Sequence, residues 1–174
     1  ISHSNNSDLF LRLISCYLGF GMSSLLFKTL REKHGVVYEV GVYHPVRERK
    51  TPFVVHASTT VEKALITIKL LKECWQSIIE DPISADELSL LKIKFKGQIA
   101  HSLQSISQIT ERKAHLMGMG LSKDHDEKMI MRLDNITSKE IQKVAIQYLK
   151  NPFLSVCGNK QITNKIKKTW SSWY

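Results

Sequence analysis

Residues 18–38 read LGFGMSSLLFKTLREKHGVVY, and the way this stretch folds decides the architecture. Gly19 and Gly21 end a preceding helix, because a residue just past the last turn takes left-handed dihedrals that glycine adopts most cheaply. Ser23 or Ser24 can then cap a short second helix through about Lys33, with Leu26, Phe27 and Leu30 on one side. Gly35 stops it. Val36 to Tyr43 follows with an alternation that predicts a strand. Val36, Tyr38, Val40 and Val42 lie on one face, and Val37, Glu39, Gly41 and Tyr43 on the other. From the residues alone, Arg31 is an exposed helix-end cation, Tyr38 is a strand aromatic, and structure accounts for both.

Upstream, residues 8–18 predict a helix capped by Asp8, with Leu9, Leu13, Ile14, Tyr17 and Leu18 at helical spacing. Downstream, the charged turn from His44 to Pro52 joins the first strand to a second, Phe53 to Ser58, as an antiparallel hairpin. Thr59-Thr60-Val61-Glu62 has the form of a capping box for a helix to about Glu80. Its expected core stripe is Val61, Ala64, Leu65, Ile68, Leu71, Trp75, Ile78 and Ile79. A second capping box at Ser84 to Glu87 opens a helix carrying Leu88, Leu91, Phe95, Ile99 and Leu103. Helices are expected over 106–117 and 124–133, and a third capping box, Thr137 to Glu140, begins one to about Leu149. Pro152 blocks continuation, and Phe153 to Cys157 reads as a short buried strand. The tail from Lys160 predicts an amphipathic turn or two. The sum is α+β in two layers, with helices packed on one face of a mostly antiparallel sheet. A sheet so small covers this many helices poorly, so at least one further strand is expected from sequence upstream.

Composition narrows the function classes. The chain has 174 residues, 43% of them apolar, which supports one domain with a real core and excludes a disordered tail. Three cysteines, Cys16, Cys74 and Cys157, are too few and too scattered for a disulfide framework and suit a reducing, cytoplasmic setting. No apolar run approaches a membrane span. The chain starts at Ile1, so it reads as a piece of something longer. The seven histidines show neither HExxH nor HxxEH spacing, so no metal site is expected within this chain. Asp124-His125-Asp126 reads as a surface acidic cluster. There is no GxxxxGK[ST], no complete GxGxxG and no GxSxG. The formal charge of +9 leaves nucleic acid open. However, Arg47 to Lys50, Lys92 to Lys96 and Lys165 to Lys168 read as solvated surface, with only Trp170 and Trp173 as interleaved aromatics.

The segment resembles the C-terminal-half domain of the insulinase/pitrilysin family of zinc metallopeptidases, which includes mitochondrial processing peptidase. The matching residues are Gly19, Gly21, Met22, Ser23, Ser24, Leu26, Phe27, Arg31, Glu32, Lys33, Gly35 and Tyr38. The helix at Thr59 to Glu80, the Ile83-Ser84 opening with Glu87-Leu88, Lys96-Gly97, the Thr137 box and the closing LSVCGN extend the likeness over nearly the whole chain. Phe20, where many relatives have glycine, and Leu25, where arginine is common, depart from the pattern.

The resemblance implies a single domain over 1–174 that is one of two similar halves closing like a clamshell on a peptide, with its opening strand lying outside this chain. It places zinc in an N-terminal-type partner half, in the same chain or another subunit, and none in this one. It assigns substrate binding to Arg31 and Tyr38, and a glycine-rich turn to Gly19, Gly21, Ser23 and Ser24. A phenol and a guanidinium are fixed donors suited to substrate carbonyls. By itself the chain is not expected to cleave peptides. The rival readings are an inactive scaffold homologue and a basic nucleic-acid-binding module.

Overall fold

The computed structural model describes residues 2, 5–47 and 49–173. Helix α1 (Asp8–Gly19) is apolar on most of its circumference, with Leu9, Leu11, Leu13, Ile14, Cys16 and Leu18 all buried. A helix of that composition belongs inside, and α1 packs against the sheet and against two helices described below. Asp8 is not the cap. It is the first helical residue, buried, with Oδ1 3.0 Å from His44 Nε2, and Ser7 occupies the cap position without a side-chain bond.

Strands β1 (Glu39–Tyr43) and β2 (Val54–Ser58) form a two-stranded antiparallel sheet with Gly41 opposite His56. Val40, Val42, Val55 and Ala57 turn toward the core, while Glu39, Tyr43, Val54, His56 and Ser58 face outward. The first strand is shorter than its alternation implied. Val36 and Val37 are both buried and Tyr38 is exposed, so the period-two pattern begins only at Glu39.

Helices α2 (Ala64–Glu80), α3 (Ala85–His101), α4 (Ile106–Gly118), α5 (His125–Leu133), α6 (Ser138–Leu149) and α7 (Lys160–Ser171) follow. The domain is thus α+β, with helices covering the inner face of an antiparallel sheet. The capping boxes at Ser84 and Thr137 form as expected, and Ser105 with Gln108 makes another that sequence reading passed over. The first expected box does not form. Thr59 is engaged elsewhere, α2 starts at Ala64 without a side-chain cap, and Val61 and Leu65 are exposed. Glu62 is held below its ordinary range by its own backbone N–H and by the Thr60 hydroxyl, so the local carboxylate pairs with the neighbouring threonine.

Three other expectations are corrected. Residues 153–157 pair with no strand among the described residues, and Phe153 is fully exposed. The tail forms α7, about three turns, whose Ile166 joins Ala64, Ile68, Leu154, Trp170 and Trp173 in a separate apolar cluster. Trp170 and Trp173 are therefore packing residues: they meet edge to face, with Lys72 Nζ 4.4 Å from the Trp173 ring centre. Asp126 is not a surface acid. It is 5% exposed, and both its oxygens accept from Arg112, at 2.7 Å each. Among the described residues, no helix is long and apolar enough to cross a membrane.

Candidate functional site

Arg31 leaves the helix after the glycine turn, and its local backbone is unusual. Phe27–Lys33 is a π-helix, wider than the α-helix that the apolar spacing predicts. Such turns are rare and recur at functional sites. Arg31 stands over the Phe27 ring, 5.4 Å from its centre. Gly35 then takes φ +56°, and the Val36 N–H reaches back to the Leu30 carbonyl at 2.9 Å. This reversal requires left-handed dihedrals, which is why glycine occupies position 35.

The reversal brings Arg31 and Tyr38 together. Arg31 Nη1 donates to the Tyr38 carbonyl oxygen at 2.9 Å, and both residues are exposed, Tyr38 at 69%. The Tyr38 N–H donates to the Ser58 carbonyl at 2.8 Å, which ties the residue to the end of β2. The guanidinium is thus anchored through one donor to the backbone of Tyr38, and both residues are exposed. Beside them, the outer face of the hairpin carries Glu39 and His56, 3.7 Å apart.

Several residues that sequence reading did not assign hold this segment. Thr59 Oγ1 donates to the Val36 carbonyl, Thr67 Oγ1 lies 2.9 Å from the Lys63 carbonyl and 3.3 Å from that of Val36, and Lys63 Nζ donates to the Gly35 carbonyl at 2.8 Å. Thr59 looked like a helix cap, and nothing in its spacing distinguished a cap from a brace. We expect Thr59→Val to lower stability by about 1 kcal/mol, and Thr67→Val added to it to raise the loss to about 2 kcal/mol. Denaturant unfolding of both variants checks this, and equal stability to the parent would remove the brace.

The glycine-rich turn lies at the far end of α1 and serves packing. A Cβ on Gly19 would stand 2.7 Å from both Val42 Cγ2 and the Val42 backbone nitrogen, so the helix end meets β1 only because the side chain is absent. Gly21 has φ +71° in open space. Ser24 is buried and Ser23 exposed; Ser24 directly precedes the helical residues Leu25 and Leu26 that lead into the π-helix, and its carbonyl accepts from the Lys28 N–H at 3.0 Å. Phe20 is exposed under Lys94, whose Nζ is 5.7 Å from the ring centre.

Among the described residues, no three or more His, Cys, Asp or Glu side chains come together as a metal would need. The chain matches the family described as Peptidase M16 inactive domain over residues 6–95. It is 26% identical over 148 residues to the uncharacterized zinc protease YmxG of Bacillus subtilis, covering 84% of this chain and 36% of that protein. It therefore spans about a third of that relative's length. Among solved structures, the peptidase M16 inactive domain from Pseudomonas fluorescens superposes with TM-score 0.75 at 19% identity, over 85% of this chain and 35% of that one. The inactive peptidase domain from Bordetella parapertussis superposes with TM-score 0.69 at 14% identity, over 86% of this chain and 81% of that one. The chain belongs to the Peptidase M16 inactive domain family.

Proposed function

We propose that this chain, a single domain over 1–174, packs against a zinc-bearing N-terminal-type half and closes with it over a peptide, the zinc being held entirely by that other half. In this reading Arg31 and Tyr38 bind the substrate backbone. The observation that supports it is the hydrogen bond from Arg31 to the Tyr38 carbonyl, which holds the guanidinium beside the backbone of an exposed tyrosine. A peptide in extended form presents carbonyl oxygens to such a surface, and donors held by a rigid backbone bind them without a further ordering cost. The domain supplies no nucleophile and no metal, so its contribution is to orient the chain that the other half cleaves. The three thiols are free, which supports a reducing, cytoplasmic location as part of the same reading.

The test uses the intact protein with both halves present. Arg31→Ala combined with Tyr38→Phe is expected to lower kcat/KM for peptide cleavage by about 100-fold, each single change giving about tenfold. Zinc content and the melting temperature should stay close to the parent, because both side chains are exposed. Full activity in the double variant would overturn the assigned roles. Absence of peptidase activity in the parent would favour the scaffold reading. Salt-dependent DNA or RNA binding would revive the third.

A further inference from the structure

Between α1, α3 and the chain leaving β1 lies a cavity of about 350 Å³ that the peptide-binding surface does not include. Arg12, Ser15 and Cys16 line it from α1, Phe95 and Gln98 from α3, and His44 from the loop after β1. The direct hydrogen-bond acceptor of the Arg12 guanidinium is the Met129 thioether sulfur, 2.9 Å from Nη1. Its other face lies over the Phe95 ring, 5.4 Å from the centre. A thioether and an aromatic face are weak company for a side chain that cannot lose its charge. Burial holds the guanidinium below its ordinary range, and nearby Asp8 only partly offsets that.

The neighbouring carboxylates, Asp8 and Asp126, are hydrogen-bonded to other side chains. Asp8 Oδ1 faces His44, and both oxygens of Asp126 face Arg112. Two further cations stand around the cavity: Arg47 donates to the hydroxyl of Tyr43, a wall residue, and Lys94 lies over Phe20, another. The Cys16 thiol is pushed up to about 11 by burial, so it adds no negative charge at neutral pH. Arg12, Arg47 and Lys94 thus stand at or beside a cavity with room for a small group, and Asp8 and Asp126 are the carboxylates that act on Arg12.

We propose that this cavity binds a small oxyanion, a carboxylate or phosphate group, with the Arg12 guanidinium as its charged partner and Ser15 and Gln98 as neutral donors. An oxyanion there would give Arg12 the charge-assisted acceptor that Met129 does not supply. The site lies at the Tyr43 end of β1, whereas the peptide-binding pair lies at the Glu39 end, so the two stand or fall separately.

The experiment titrates the intact protein with inorganic phosphate and, in a parallel arm, with succinate, at constant ionic strength set by chloride. Calorimetry and the shift in melting temperature are the readouts. Saturable binding is expected for at least one anion, and the tighter of the two identifies the head group. Arg12→Met, whose side chain suits the Phe95 and Met129 surroundings, should weaken it at least tenfold, which separates this site from any anion held elsewhere. If that variant does not fold, Gln98→Leu and Arg47→Ala, both exposed positions, should each weaken it about threefold. No saturable binding in the parent, or unchanged binding in the variants, overturns the proposal.

Discussion

Asp126→Asn is expected to lower the unfolding free energy by about 3 kcal/mol, because it leaves Arg112 without its carboxylate in a largely buried setting. The pair joins α4 to α5 with two bonds of 2.7 Å, and the side chains are 20% and 7% exposed. Burial alone would raise the Asp126 range. The two hydrogen bonds from Arg112 and the charges of Arg112, Arg12 and His125 outweigh it and hold the carboxyl below its ordinary 3.8. A carboxylate depressed in the folded state contributes stability above its unfolded value, and that contribution is lost as pH falls through the folded value. The difference between parent and Asp126→Asn should therefore be constant at neutral pH and shrink below about pH 4. Urea unfolding from pH 7 to pH 3 measures it. Replacing both partners together, Arg112→Met with Asp126→Leu, should recover most of the loss. A constant difference across the acid range would show that the ion pair is not its source.

Gly19→Ala is expected to cost about 3 kcal/mol, at the upper end of overpacking penalties. The added methyl would meet the Val42 side chain and, at the same 2.7 Å, the Val42 backbone nitrogen, which cannot rotate away. Either α1 or β1 must move, and both carry core residues. Gly21→Ala, with positive φ but open space around it, should cost only about 1 kcal/mol. Denaturant melts of the two variants decide between a steric and a conformational reason for the glycines. A larger loss at Gly21 would reverse the argument.

What could be read from the residues depended on the range of the interactions involved. The hairpin, the long helices and two capping boxes were legible because they rest on local spacing: Ser84 finds Glu87, and Thr137 finds Glu140, within one turn. Arg31 and Tyr38 were legible only through family resemblance, since an Arg at a helix end and a Tyr at a strand start are commonplace. Their juxtaposition depends on the π-helix and on Gly35 together, and nothing in the order FKTLREK distinguishes a π turn from an α turn. Thr59 was misread because the same hydroxyl suits a cap or a distant carbonyl, and the Val36 carbonyl is 23 residues away. Asp126 was misread for a similar reason: its Arg112 partner sits on another helix. The supposed strand at Phe153 to Cys157 had the right composition but pairs with no strand among the described residues.

The widened turn at Phe27–Lys33 also bears on how the sequence can vary. A π turn holds one more residue than the coil it replaces, so it behaves as an indel accommodated without a loop. Losing a single amino acid there would let the segment relax to the commoner 3.6-residue winding and keep the flanking framework, while swinging the basic side chain around the axis away from its aromatic platform. Such a shortened lineage would retain its shape and lose the contact from Arg31 to the Tyr38 carbonyl.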